Sequence, residues 1–154
     1  MVIAASAMFA DASASAPRTL AGVTLGAPLA RDVVQRFGAE KHPGTGANAA
    51  TWTWKRAGGG VVTVSTDNAG VVQRIDFTAK QGESDAIDLP CAGSFEIQQS
   101  HLNLDFAAEK SACVSTGDAG SYTLPDGSVF EARFEGPGDG QLLEAIWYRP
   151  AARV

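Results

Sequence analysis

Residues 61–77, VVTVSTDNAGVVQRIDF, narrow the choice of folds more than any other stretch of the chain. Two short apolar runs flank Asp67–Asn68–Ala69–Gly70, residue types that favour a chain reversal. Val62 and Val64 alternate with Thr63 and Ser65, while Val71, Ile75 and Phe77 share a period-2 face. The pattern predicts a two-stranded antiparallel hairpin with one covered face. A lone hairpin is marginal in water, so the chain must bring further strands or a helix to its apolar side.

Both are legible elsewhere. Leu29, Val33 and Phe37 recur at every fourth position after Pro28, Asp32 and Arg36 form an i,i+4 pair, and Gly38 is a natural stop. This predicts an amphipathic helix too short to persist alone, whose stripe must pack on a sheet. Trp52 and Trp54 fall on one face of a strand over 51–55, with Thr51 and Thr53 on the other. Residues 39–50 read as a loop, and Gly58–Gly59–Gly60 as a turn into the hairpin. That glycine run lacks the Lys-Ser/Thr of a phosphate-binding loop and opens no helix.

Further along, a polar connection leads to Ile87–Cys91 and a turn at Ala92–Gly93. Phe95 and Ile97 alternate as a short extended piece, and a second helix is predicted from about Asn103 to Val114. Tyr122 and Leu124 run into the turn Pro125–Asp126–Gly127. Phe130, Ala132 and Phe134 then form one strand face, with Glu131, Arg133 and Glu135 on a wet one. Leu142–Tyr148 is apolar on both faces except at Glu144, which predicts a central or covered strand.

Val61–Asp67 aligns with Val129–Glu135, and Gly70–Phe77 with the stretch from Gly140 to Tyr148. The expected fold class is therefore α+β: short helices packed on one face of an antiparallel sheet, two helix-plus-hairpin units in tandem. Residues 22–82 would form the first unit and 83–154 the second, after a leader over 1–21. Joining the two hairpins edge to edge would relieve apolar faces that either half is too small to bury alone.

Val23–Thr24–Leu25–Gly26, a helix containing Val33, its close at Phe37–Gly38, and the strands around Trp52, Trp54 and Gly70–Val71–Val72 resemble the SmpA/OmlA group of small bacterial outer-membrane assembly lipoproteins. The duplicated arrangement, with Cys91 and Cys113 bracketing the start of the second half, is similar to the beta-lactamase inhibitory protein fold. That resemblance implies a curved sheet used to bind another protein, as an inhibitor or as an assembly accessory. Neither cysteine lies in a lipobox near the N-terminus, so the resemblance does not carry lipid attachment with it.

The start, MVIAASAMFADASASAP, resembles the end of a secretory signal peptide without its basic n-region. Val2–Ala10 is too short for a membrane span, and no transmembrane segment is expected. Cys91 and Cys113, the two cysteines, read as one disulfide in an exported chain, with buried free thiols as the alternative. Localisation is accordingly expected to be periplasmic or secreted, with peripheral association to the envelope left open. With 12 basic and 17 acidic residues the net charge is −5, and no basic run offers a nucleic-acid surface.

No motif carries catalysis, a cofactor or a metal. His42 precedes Pro43 in a polar loop, His101 stands beside Leu102, and no Gly-x-Ser-x-Gly elbow surrounds a serine. The glycine-rich Asp118, Asp126 and Asp139 loops lack calcium-loop spacing. The expected role is therefore a non-enzymatic protein-binding module, with a partner that is another protein. Candidate contact residues are Trp52, Trp54, Tyr122, Arg133, Trp147 and Tyr148, the aromatic and arginine types that dominate interfaces. The alternative is a small hydrolase or ligand-binding enzyme with a cleft near His101.

Overall fold

A computed structural model describes residues 18–44, 48–135 and 140–150. Helix α1 (Arg31–Phe37) precedes strands β1 (Glu40–Pro43), β2 (Ala50–Lys55), β3 (Val61–Thr66), β4 (Val72–Thr78), β5 (Ala86–Leu89) and β6 (Gly93–Glu96). Helix α2 (His101–Lys110) follows, then β7 (Val114–Ser115), β8 (Ser121–Thr123), β9 (Val129–Phe134) and β10 (Leu142–Tyr148). Eight strands form one sheet in the order β1-β2-β3-β4-β10-β9-β8-β7, every neighbouring pair antiparallel. β5 and β6 make a separate hairpin.

The expected class of two helix-plus-hairpin units is overturned. The body is one large antiparallel sheet, and the described helices, of 7 and 10 residues, contribute little: Val33 from α1, Leu104 and Ala108 from α2 are their buried side chains. The physical reason is the β4–β10 pairing, in which Phe77 faces Ala145 and Ile75 faces Trp147. It makes the two hairpins a single surface, wider than short helices can cover.

Local chemistry explains the elements. In the β3–β4 turn, Asp67 Oδ1 accepts the amides of Ala69 and Val71, and Gly70 takes a φ of 79°. Gly38, at φ 64°, ends α1 with its amide on the carbonyls of Val34 and Gln35. That helix starts later than its pattern suggests because Pro28 forms a bridge with Val71, and Leu29 N–H donates to Gly70 O. α2 stops at Lys110 rather than near Val114, for Ala112 turns into the left-handed region and Cys113 is tied to Cys91. β1 occupies part of the expected 39–50 loop as an edge strand, where its proline costs no ladder bond.

Lys41, Trp52, Val64, Ile75, Trp147, Phe130, Tyr122 and Ser115 are successive register partners across all eight strands. They therefore share one face of the sheet, and from Trp52 to Tyr122 this row belongs to the core or packs against it. The opposing layer consists of Leu20 and Val23 from the lead-in segment, Ile87, Leu89 and Phe95 from the β5–β6 hairpin, the helix side chains and the Cys91–Cys113 disulfide. Of the leader expected over 1–21, residues 1–17 lie outside the described residues. Arg18–Ala21 belong to the folded body: Leu20 is buried, and Arg18 donates to Pro90 O and Ser111 O.

Candidate functional site: the open face of the sheet

The alternation that turns the aromatic row inward turns a second set of side chains outward. Register places Thr63, Asp76, Ile146 and Glu131 side by side in one outward row, and Ser65, Arg74, Tyr148 and Val129 in the next. None of these residues belongs to the hydrophobic core or packs against it. The outward face carries its own contacts instead.

At its centre stands Tyr148. It is only 5% exposed although it does not join the contiguous hydrophobic cluster of the inner face. The Arg74 guanidinium sits 5.8 Å from its ring centroid, and its hydroxyl donates to Glu131 Oε2 at 3.0 Å. Arg74 is itself held by Asp76 through Nε–Oδ2 and Nη2–Oδ1 contacts of 2.9 Å each. That hydrogen bond, more than any longer-range charge, raises the guanidinium further above its ordinary value. Beside this group Arg133 Nη2 reaches Glu144 Oε2 at 3.1 Å across β9 and β10. A shallow pocket of 370 Å³ lies where the Asp118–Ser121 turn borders Glu131, Arg133, Glu144 and Ile146.

Of the six residues singled out from sequence, this face holds Arg133 and Tyr148. Trp54, 4% exposed, stacks on Phe37 in the core. Trp147, 2% exposed, donates Nε1–H to Ser128 Oγ at 2.9 Å, and Tyr122 stacks on Phe130 while its hydroxyl donates to Asp105. Those three side chains are almost fully buried, and none of them faces the open side of the sheet. Trp52 is half-buried on the same inner face, with Lys41 Nζ 5.4 Å from its ring, beside a separate groove of 520 Å³ between α1 and the β3–β4 turn. Sequence reasoning missed Arg74, Asp76, Glu131 and Ile146. The available signal was the polar phase of the alternation through Arg74–Ile75–Asp76–Phe77.

No family model matches this chain, and neither does any curated protein or solved structure.

The groups weighed for catalysis are dispersed. His101, at the start of α2, has its ring 6.1 Å from that of Phe134. Asp105 on the same helix accepts the Tyr122 hydroxyl, whose pKa burial, and then Asp105, push up. The cleft beside α2 is lined by Asp105 and Glu109 but not by His101. Cys91 and Cys113 are joined in the disulfide, so neither is a free nucleophile. Among the described residues no three of His, Cys, Asp or Glu gather as a metal site, and no helix is long and apolar enough to cross a membrane.

Proposed function

We propose that this chain is an exported, non-enzymatic protein-binding module of the bacterial cell envelope, which engages its partner through the open face of the eight-stranded sheet. The observation that carries the reading is the Arg74–Tyr148–Glu131 group, held by the chain's own bonds on the face of the sheet turned away from the hydrophobic cluster. Arginine is among the types that dominate interface energetics, and Arg74 and Arg133 are the accessible ones here, with the buried Tyr148 packed against Arg74. Side chains already immobilised lose little freedom on association. Eight strands about 4.8 Å apart and about five residues long on average present roughly 600 Å², the lower end of one partner's share of a standard interface. The fitting partner is a folded protein that offers an apolar contact to Ile146, ringed by groups of both charges.

The disulfide is compatible with an extracellular or periplasmic location. The periplasm is the finer reading, and the resemblance to SmpA/OmlA units and to the beta-lactamase inhibitory protein fold is part of it. The test is affinity capture from a bacterial envelope extract with the wild-type chain, an Ile146→Glu/Arg133→Glu variant, and Trp52→Ala as control. The expected result is one saturable partner, lost with the first variant while its urea midpoint stays unchanged, and kept with the control although truncating the half-buried Trp52 lowers its midpoint. Retention of that partner by Ile146→Glu/Arg133→Glu would remove the open face from the account.

A further inference from the structure

The second surface lies on α2 and meets the open face at the Asp118–Gly120 turn, which borders both. Leu104 and Ala108 of this helix are buried, as one-sided packing requires. Leu102 and Phe106 are each 64% exposed, one turn apart on the other side. A helix that is apolar on two sides suits a position between two partners, and the core accounts for only one of them.

The neighbouring helix face shows what the other partner would be. Asp105, Ala108, Glu109 and Ala112, at i, i+3, i+4 and i+7, border a cleft of 690 Å³ whose far side is the β7–β8 turn with Asp118. Cys113 and Tyr122 also line it. Among the described residues, three carboxylates thus line the cleft and no lysine or arginine does. Going around the helix at 100° per residue, Asp105 and Glu109 come directly next to Leu102 and Phe106. Acidic wall and exposed apolar pair are therefore one continuous surface. Phe106 already takes a cation, since Lys110 Nζ lies 4.7 Å from its ring centroid. Asp105 is held in place by the Tyr122 hydroxyl.

We propose that this cleft, with Leu102 and Phe106 on its rim, is a docking site for an apolar segment of a partner protein that bears a lysine or arginine. The cationic head enters between Asp105, Glu109 and Asp118, and the flanking apolar side chains cover Leu102 and Phe106. Charge complementarity selects the occupant: an acidic segment meets three carboxylates, and a purely polar basic one leaves the apolar pair uncovered.

The experiment titrates the isotopically labelled full chain with a short synthetic peptide of core Leu-Lys-Leu, following backbone amides by NMR. Two control peptides carry Leu-Glu-Leu and Ser-Lys-Ser in its place. The expected result is shifts confined to residues 102–122, with binding at least ten-fold tighter for Leu-Lys-Leu than for either control. Glu109→Lys/Asp118→Lys and, separately, Phe106→Ser should each weaken it at least ten-fold. Glu40→Lys/Glu96→Lys, which changes net charge equally at exposed sites elsewhere, should not. The amide spectrum reports in the same samples that each variant is folded. Equal binding of Ser-Lys-Ser, indifference to Glu109→Lys/Asp118→Lys, shifts centred on the open sheet face, or no shifts at the highest soluble peptide concentration would each overturn the proposal. Asp118 also lines the pocket at the edge of the open face, so Phe106→Ser, which touches the α2 surface alone, is the variant that separates loss of this site from loss of the open-face reading.

Discussion

Gly60→Ala tests how tightly the β2–β3 turn is pressed against the interior. The turn closes through Arg56 N–H to Gly60 O at 2.7 Å and Gly59 N–H to Arg56 O at 2.9 Å. Gly59 is the member of the glycine run that needs a left-handed backbone, with φ 107°, so Gly60→Ala adds volume without backbone strain. The new Cβ would stand 2.6 Å from Phe77 Cε1, 2.7 Å from Glu83 Oε1 and 3.0 Å from Thr78 O. None of these neighbours is a loose chain end. Phe77 is core, Thr78 O is β4 backbone, and the Glu83 carboxylate accepts Lys80 N–H at 2.9 Å and Arg56 Nη1–H at 2.8 Å. Overpacking of this kind costs about 1–3 kcal/mol. Alanine recovers about 0.4–1 kcal/mol by restricting the unfolded chain. Displacing Glu83 from Arg56 weakens a buried charge-assisted bond, so a net loss of about 2 kcal/mol is expected. For a chain of this length that is a Tm lower by roughly 4–8 °C. Urea unfolding followed by tryptophan fluorescence measures it, with m unchanged. Gly82→Ala is the comparison, at φ 81° with open space around its Cβ, and isolates left-handed strain of about 1 kcal/mol. If Gly60→Ala unfolds within about 0.5 kcal/mol of wild type, Phe77 and Glu83 give way freely and the packing argument for the glycine run is wrong.

Two further outcomes follow from the same region and its neighbour. Replacing Cys91 and Cys113 by alanine opens a link between residues 22 apart and should cost about 3.4 kcal/mol by loop entropy. A loss under about 1 kcal/mol in urea unfolding would mean that Arg18, bonded to both arms of the bridge, already holds them together. For Glu83, burial first, and the nearby Asp85 as well, raise the carboxyl above its ordinary 4.5, against the pull of Lys80 N–H and Arg56. A raised folded value means that the folded state holds the proton more tightly. The contribution is thus fully present below pH 4.5 and lost as pH rises through the raised value. The stability of wild type minus that of Glu83→Gln should accordingly fall with rising pH above 4.5, and a difference that rises would refute the direction.

Period-2 alternation was enough to find β2, β3, β4, β9 and β10, because each alternates between a covered and an open face and the turns carry Asp, Asn, Gly or Pro at the reversals. The class was misread at the helices. Leu29, Val33 and Phe37 form a valid stripe, but Pro28 and Leu29 are drawn into bonds with the β3–β4 hairpin, a tertiary claim that no local pattern announces. For α2 the expected span of about Asn103 to Val114 did not fix which side packs inward, and Leu104 is the core residue while Leu102 and Phe106 are exposed. At the candidate site, residue type favoured the tryptophans, whereas strand phase decides which side chains face outward. Trp147 and Tyr148 are adjacent and point oppositely, and only pairing with β4 shows that Tyr148 meets Arg74.

Why the large aromatics went inside follows from the thinness of the second layer. A sheet of eight strands is roughly 34 Å wide, whereas helices of 7 and 10 residues are about 10 and 15 Å long. The remaining cover comes from an irregular lead-in and the four-residue strands β5 and β6. Such segments hold few apolar side chains per unit length, so the sheet must supply the bulk itself, and Trp54, Phe77, Phe130 and Trp147 do so. Cover of this kind has little regular hydrogen bonding of its own and needs tethering. The disulfide joins the end of the β5 arm to the end of α2, and Arg18 ties the lead-in to both. On the opposite face of the sheet, Arg74 and Arg133 are paired with Asp76 and Glu144 of the sheet itself rather than with the covering layer.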